Sequence, residues 1–317
     1  MRDRLHAVVL ACAVVLALAG AVGAVQVRAD DTSPSNDSAA TKLPPSPVTL
    51  LEAGSQPKIL MRLTPKVGFE QRTTQHQEQK LRLTVDGRTA EVSTPPIELD
   101  IRTRVTAVAN HRVSTTSTYE AARVLDAPGT TAAVKSAMTQ TGQSLVGQSI
   151  NCARTDAGVM IRCSHLHVTF PDAVKKIGDE LVKGLENDLP NLSMPFPTEP
   201  VGVGARWTFA PKPRVLGLRS TSLSEVKVTR IIGRRVEATL TQSIKFVPGP
   251  TKFGDVSGTI ESGELAGGGS IVWNLAATDP LLNSALEGTV VITAGSGQGA
   301  QRLEQFQHQS IRITERK

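Results

Sequence analysis

Apolar residues recur at every second position along much of this chain, and that period suits an extended backbone with one dry and one wet face. Leu81, Leu83 and Val85 alternate and are followed by Asp86-Gly87, a hairpin signal. Ile97, Leu99, Ile101, Thr103 and Val105 share one face of the next run. Glu98, Asp100, Arg102 and Arg104 take the other, and Asn110 closes the segment. Val113, Thr115, Ser117, Tyr119 and Ala121 form a further strand, and Ile59, Met61 and Leu63 a shorter run before it. Past Trp207 the alternation returns with Val226 and Val228, turns at Gly233-Arg234, and comes back through Val236, Ala238, Leu240, Gln242, Ile244 and Phe246. Segments 259–263, 269–275, 288–293 and 305–314 complete the set. Gly267 to Gly269 reads as a loop or a bend in the sheet, because no Lys-Ser/Thr follows to make a phosphate cradle.

Two stretches break the period. Residues 130–147 carry Val134, Met138 and Leu145 at helical spacing, and 172–189 carry Val174, Ile177, Leu181, Leu185 and Leu189. Pro171 suits the first turn of the second stretch, and Pro190 stops it. Strands, helix, hairpin, helix and strands again contain no βαβ alternation, which argues against a parallel sheet. The expected fold is therefore mainly β (α+β): one large curved antiparallel sheet with two central helices packed on one face. Aromatic residues make up only 3% of the chain. The core is expected to be aliphatic, with Trp207 and Trp273 as its anchors.

The N-terminus bears on the compartment. Arg2 and Arg4 precede an apolar run from Ala7 to Val25, and small residues lead to a polar stretch at Ala29-Asp30-Asp31. This predicts a signal peptide over 1–24, cut after Ala24 or, second, after Ala29. The competing reading is a retained membrane anchor. Residues 25–49 are rich in Ser, Pro and Asp and read as a disordered tether. Residues 50–317 read as a single β-rich domain. Loss of Cys12 with the leader leaves Cys152 and Cys163, an even number for an oxidising compartment. Thr155-Asp156-Ala157-Gly158 reads as a turn between them, and a hairpin centred there sets Cys152 opposite Cys163 and predicts a disulfide.

Phe196-Pro197-Thr198-Glu199-Pro200-Val201-Gly202-Val203-Gly204-Ala205-Arg206-Trp207 resembles a segment of exported bacterial β-rich proteins, Phe-Pro-x-x-Pro-Val-x-Val-Gly-x-x-Trp. That family has no assigned function, so the resemblance implies an exported β-rich fold and carries over no site residue. The predicted layout also resembles the half-barrel lipoprotein carriers of bacterial envelopes, in which helices close a curved sheet around an acyl-chain cavity.

Chemistry is sparse. Cys163, His165 and His167 would share one face of a strand and make the most metal-like trio, but the disulfide uses Cys163 and no third ligand is evident, so no metal site is expected. Glu98, Asp100 and Glu120 are the nearest candidates for paired carboxylates, with Arg102 and Arg104 beside them to form ordinary cross-strand ion pairs. No Gly-x-Ser-x-Gly elbow occurs. The net charge of +6 is dispersed and aromatics are few, which disfavours a nucleic-acid partner. The expectation is a non-catalytic exported envelope protein without a cofactor. Its helix-capped sheet would hold an apolar ligand such as an acyl chain, with a lipid or envelope component as partner. The alternative is a structural or protein-interaction module with a packed core and no ligand.

Overall fold

Alternating runs become strands that pair edge to edge into one open antiparallel sheet. The computed structural model describes residues 47–316 except 86, 176–177, 180–181, 183–193, 211–213, 216–217, 254–255 and 296–299. The leader over 1–24 and most of the tether lie outside the described residues, though Val48 and Thr49, assigned to the tether, stand in the first strand. The N-terminal half contains β1 (Val48–Glu52), β2 (Glu70–Val85), β3 (Arg88–Ser93), β4 (Ile97–Ala109), β5 (Arg112–Val124), helix α1 (Ala132–Leu145), β6 (Ser149–Thr155) and β7 (Met160–Cys163). The C-terminal half contains β8 (Arg206–Phe209), β9 (Arg214–Val215), β10 (Leu218–Ile232), β11 (Arg235–Phe246), β12 (Gly249–Phe253), β13 (Val256–Asn274), β14 (Leu281–Ala294) and β15 (Gln301–Glu315). The order across the sheet is β1-β8-β10-β11-β13-β14-β15-β2-β4-β5-β6-β7, with β12, β3 and β9 paired at the sides of β13, β2 and β10.

The sheet is rolled. Arg154 on β6 donates from Nη1 to the Thr278 carbonyl at 2.9 Å and from Nη2 to Asp279 Oδ1 at 3.0 Å, in the turn between β13 and β14. In sheet order β6 stands five places from β14, about 24 Å away were the sheet flat. Gln71 on β2 fastens the same turn. Its Oε1 accepts from Thr278 N, Thr278 Oγ1 and Asp279 N, and its Nε2 donates to the Asp279 carbonyl.

The Ile59-Met61-Leu63 run alternates without becoming a strand, contrary to expectation. Its backbone bonds go to separate elements: Ile59 to Val201, Leu63 to Asp156 and Thr64 to Leu275. The segment crosses one end of the rolled sheet, and Met61 and Leu63 point into the core. The Phe196–Trp207 segment meets it there. A side chain at Gly202 would put its Cβ 1.7 Å from the Ser55 carbonyl oxygen, so only glycine lets the two segments lie together. Trp207 is fully buried and donates from Nε1 to the Pro195 carbonyl at 3.1 Å. Phe196 meets Trp273 edge to face with ring centres 5.6 Å apart, and Trp207 lies 6.2 Å from Trp273. Val105 and Val113 of β4 and β5 join the same cluster as Val226, Val236 and Ile271 of the C-terminal half, as the roll requires.

Two smaller clusters lie elsewhere on the inner face. One joins Leu218, Ile244, Phe246, Ile260, Leu265, Val290 and Ile292. The other joins Leu99, Tyr119, Ala122, Leu145, Ile150, Cys152 and Leu166 under α1. Thr131 caps α1 by accepting from Val134 N, and Met138, Thr141, Gly142 and Leu145 form its buried stripe. Only this one α-helix is among the described elements. The second expected helix, 172–189, starts as a single 3-10 turn, Asp172–Val174, and most of the remainder lies outside the described residues. Pro171 stands at the N-cap of that turn, where its apolar ring offers no acceptor and makes no capping bond.

Gly158, at φ 81°, turns the cysteine hairpin and brings Cys152 opposite Cys163, which are disulfide-bonded with Cα atoms 4.1 Å apart. Asn110 and His111, at φ 50° and 59°, form the two-residue turn between β4 and β5. The two expected strands over 259–263 and 269–275 are a single strand, β13, and Gly267 to Gly269, expected as a loop or bend, pair in unbroken register with β11 and β14. A Cβ at Gly267 would lie 2.1 Å from the Ala285 carbonyl oxygen, and one at Gly269 1.8 Å from that of Asn283. Gly269→Ala is therefore expected to destabilise the fold by about 1–3 kcal/mol, read as a fall in denaturation midpoint at unchanged m-value. A neutral substitution would show that the close approach of β13 and β14 at Gly269 is not sterically fixed.

Candidate functional site

The inner face of the roll is uncharged over its central strands. Register places Gln75, Gln77, Gln79, Leu81 and Leu83 of β2 on the same side as Leu303, Gln305, Gln307, Gln309, Ile311 and Ile313 of β15. Leu282, Ser284, Leu286, Gly288 and Val290 of β14 follow on that side, then Ile271, Gly269, Gly267 and Leu265 of β13. Inward positions of β2, β4, β10, β11, β13 and β14, and those of β15 from Leu303 to Ile313, carry no acidic or basic side chain. On β5, burial pushes the inward Tyr119 phenol up to about 12, so it too stays neutral.

At the margins of the packed clusters the inner face remains partly accessible. Leu286, Leu303, Ile311, Ile313, Ile97 and Ile101 face inward yet are only half-buried. Gly267 and Gly269 present no side chain there. Ser284 Oγ of β14 consequently reaches across β13 to Gln242 Oε1 of β11 at 3.4 Å, and Gln242 Nε2 donates to Ser224 Oγ at 3.4 Å. Gln305 and Gln307 are buried at 3% and 0% exposure. Gln305 Nε2, Gln307 Nε2, Gln307 Oε1 and Gln77 Nε2 have no hydrogen-bond partner among the described residues.

The outer face is ionic and gathers the three candidate carboxylates. Asp100 accepts from Arg123 at 2.8 and 2.9 Å and from Thr74 Oγ1 at 2.7 Å, and it pairs with Arg316 at 2.7 Å. Glu98 faces Arg123 and His76, and Glu120 faces Arg102, Arg72 and Arg316. Glu70 links Arg72, Arg102 and Arg104. This network fastens the C-terminus across β4 and β5. Hydrogen bonding from Arg123, with Thr74 and Arg316, holds the Asp100 carboxyl down to about 2, so it remains ionised near neutrality and cannot serve there as a general acid.

The metal-like trio is not assembled. β7 ends at Cys163, whose sulfur is in the disulfide, and His165 and His167 follow it as exposed residues. Leu166, Val168 and Phe170 turn inward between and beyond them. Among the described residues no group of three or more His, Cys, Asp or Glu side chains could hold a metal ion.

The inward glutamines went unread in the sequence, although a signal was present. Gln75-His76-Gln77-Glu78-Gln79 and Gln305-Phe306-Gln307-His308-Gln309 alternate in the same phase as Leu81-Leu83 and Ile311-Ile313. Carrying the apolar phase along the strand would have turned them inward.

No family model matches the chain, and no curated protein does. Solved structures with some likeness include an outer membrane channel from Pseudomonas putida F1, at 7% identity and TM-score 0.19, covering 80% of this chain and 98% of that one. The toluene transporter TodX of Pseudomonas putida matches at 10% identity and TM-score 0.23, covering 79% of this chain and 90% of that one. OccK8 (OprE) of Pseudomonas aeruginosa matches at 5% identity and TM-score 0.16, covering 79% of this chain and 100% of that one. At these TM-scores the likeness carries no argument.

The Asp100 network predicts an acid transition. A depressed carboxylate stabilises the fold above its unfolded value, near 3.8, and that contribution is lost as pH falls toward about 2. Unfolding measured between pH 5 and 2 should lose about 2 kcal/mol from this one group, and Asp100→Asn should flatten that part of the profile. An unchanged slope in the variant would remove Asp100 from the account.

Proposed function

We propose that this protein is a non-catalytic exported envelope protein whose rolled sheet holds an apolar ligand, such as an acyl chain, against its inner face. The observation that carries this reading is the set of half-buried inward aliphatics: Leu286, Leu303, Ile311, Ile313, Ile97 and Ile101. Exposed apolar surface facing a concavity is the ordinary chemistry of a ligand site. The leader-like N-terminus and the disulfide support an oxidising compartment outside the cytoplasm. The outer face supports a water-bathed protein. A membrane barrel turns an apolar band outward, whereas here Arg72, Arg102, Arg123, Glu98, Asp100 and Glu120 lie outward on adjacent strands.

Native mass spectrometry of protein purified from its exporting host tests the reading. Co-purifying lipid is expected, and so is saturable rebinding of palmitate or its glyceride after delipidation. Leu286, opposite Gly267 on one side and Gln309 on the other, is the place to block. Leu286→Trp should fill the space over Gly267 and abolish rebinding while the protein stays folded. Absence of both co-purifying and rebound lipid would overturn the reading and favour a packed interaction module.

A further inference from the structure

We propose that Gln305 and Gln307 form a neutral hydrogen-bonding station on the inner face, and that it takes the uncharged polar group of an amphiphile: an ester, amide or hydroxyl adjoining an acyl chain. This rests on the reading of the sheet as an acyl-chain holder and adds which headgroup it selects.

The argument starts from the cost of unmet polar groups. A buried amide without a partner costs roughly 1–3 kcal/mol, and buried side chains of this kind are normally satisfied. Gln305 Nε2 and both polar atoms of Gln307 have no partner among the described residues. Gln77 Nε2 on β2 is unpaired too, but it stands opposite Ile311, about 14 Å along the strands from Gln307. Aliphatics would serve a filled core better at these positions, since Leu81 and Gly288 flank Gln307 while Leu83 and Val290 flank Gln305. Two-residue spacing sets successive inward side chains of β15 about 7 Å apart. Gln309 opposite Gln79 continues the row toward Gln77. Three side-chain torsions let each glutamine turn its amide toward a bound group.

Amide chemistry then selects the ligand. A carboxamide both donates and accepts, so it matches ester and amide carbonyls and hydroxyls. The surrounding inward positions offer no cation to neutralise a carboxylate and no anion to neutralise an ammonium. Burying an unpaired charge there costs far more than burying a paired dipole. The glyceride is thus favoured over palmitate, although both carry the same chain.

The test compares radiolabelled monopalmitoylglycerol with palmitate on delipidated full-length mature protein at neutral pH. The glyceride should bind at least about tenfold more tightly, the margin that a hydrogen bond in a buried site supplies. Gln307→Leu should weaken glyceride binding about tenfold and raise the melting temperature of the lipid-free protein, because it removes an unmet buried amide. Gln305→Leu, on the neighbouring inward rung, repeats the binding measurement should the first variant fold poorly. Equal binding of both lipids, unaltered in the variants, would overturn the station and leave the acyl-chain holder standing. Binding of neither lipid would overturn both.

Discussion

The pairing of β15 with β2 is the contact on which the rest of the structure depends. Its ladder runs from Leu303 opposite Val85 to Glu315 opposite Thr73, and it is the seam between a sheet built on β2 to β7 and one built on β8 to β14. Closing so long a loop carries an entropic cost that local hairpins do not. The seam is correspondingly reinforced on its outer side. Arg316, just past β15, donates its backbone N–H to the Arg72 carbonyl and sets its guanidinium against Asp100 and Glu120. Arg82 stacks over Phe306 across the same seam, 4.8 Å from the ring centre. Without this ladder the two half-sheets would each expose an edge and half of an inner face.

A second constraint is the close approach of strands where side chains are absent. Gly267, Gly268, Gly269 and Gly288 stand where a Cβ would collide with a neighbouring carbonyl oxygen, and glycine in a strand marks such a close backbone approach. The inward glycines also leave a bare strip that Gln242 and Ser284 bridge. The end with the tryptophans is then closed by crossing segments, with Gln71 and Arg154 holding the β13–β14 turn.

The strands were the legible part of the sequence because period two states the dry face directly. The Cys152–Cys163 register was legible for the same reason: a turn with a well-placed glycine fixes which residues oppose. Ile59-Met61-Leu63 shows the limit. Alternation reports which side chains are buried, not whether the backbone finds a ladder partner. The glutamine row shows the converse. Polar side chains in the apolar phase of a strand turn inward with their apolar neighbours, because strand phase outranks side-chain polarity once both flanks are fixed. The ion-paired role of Glu98, Asp100 and Glu120 could be anticipated from their alternation with arginines. The reach of Arg316 to them could not, since only strand order brings it there.

These elements describe one cooperative sheet, charged outside and neutral inside, sewn along β2 and β15. Native-state hydrogen exchange measures that seam most directly. The account predicts that the paired amides of β2 and β15 exchange last and together, at the free energy of global unfolding, with β4, β13 and β14 opening in the same event. Release of β15 at a lower free energy, while β2, β4 and β5 stay protected, would contradict it.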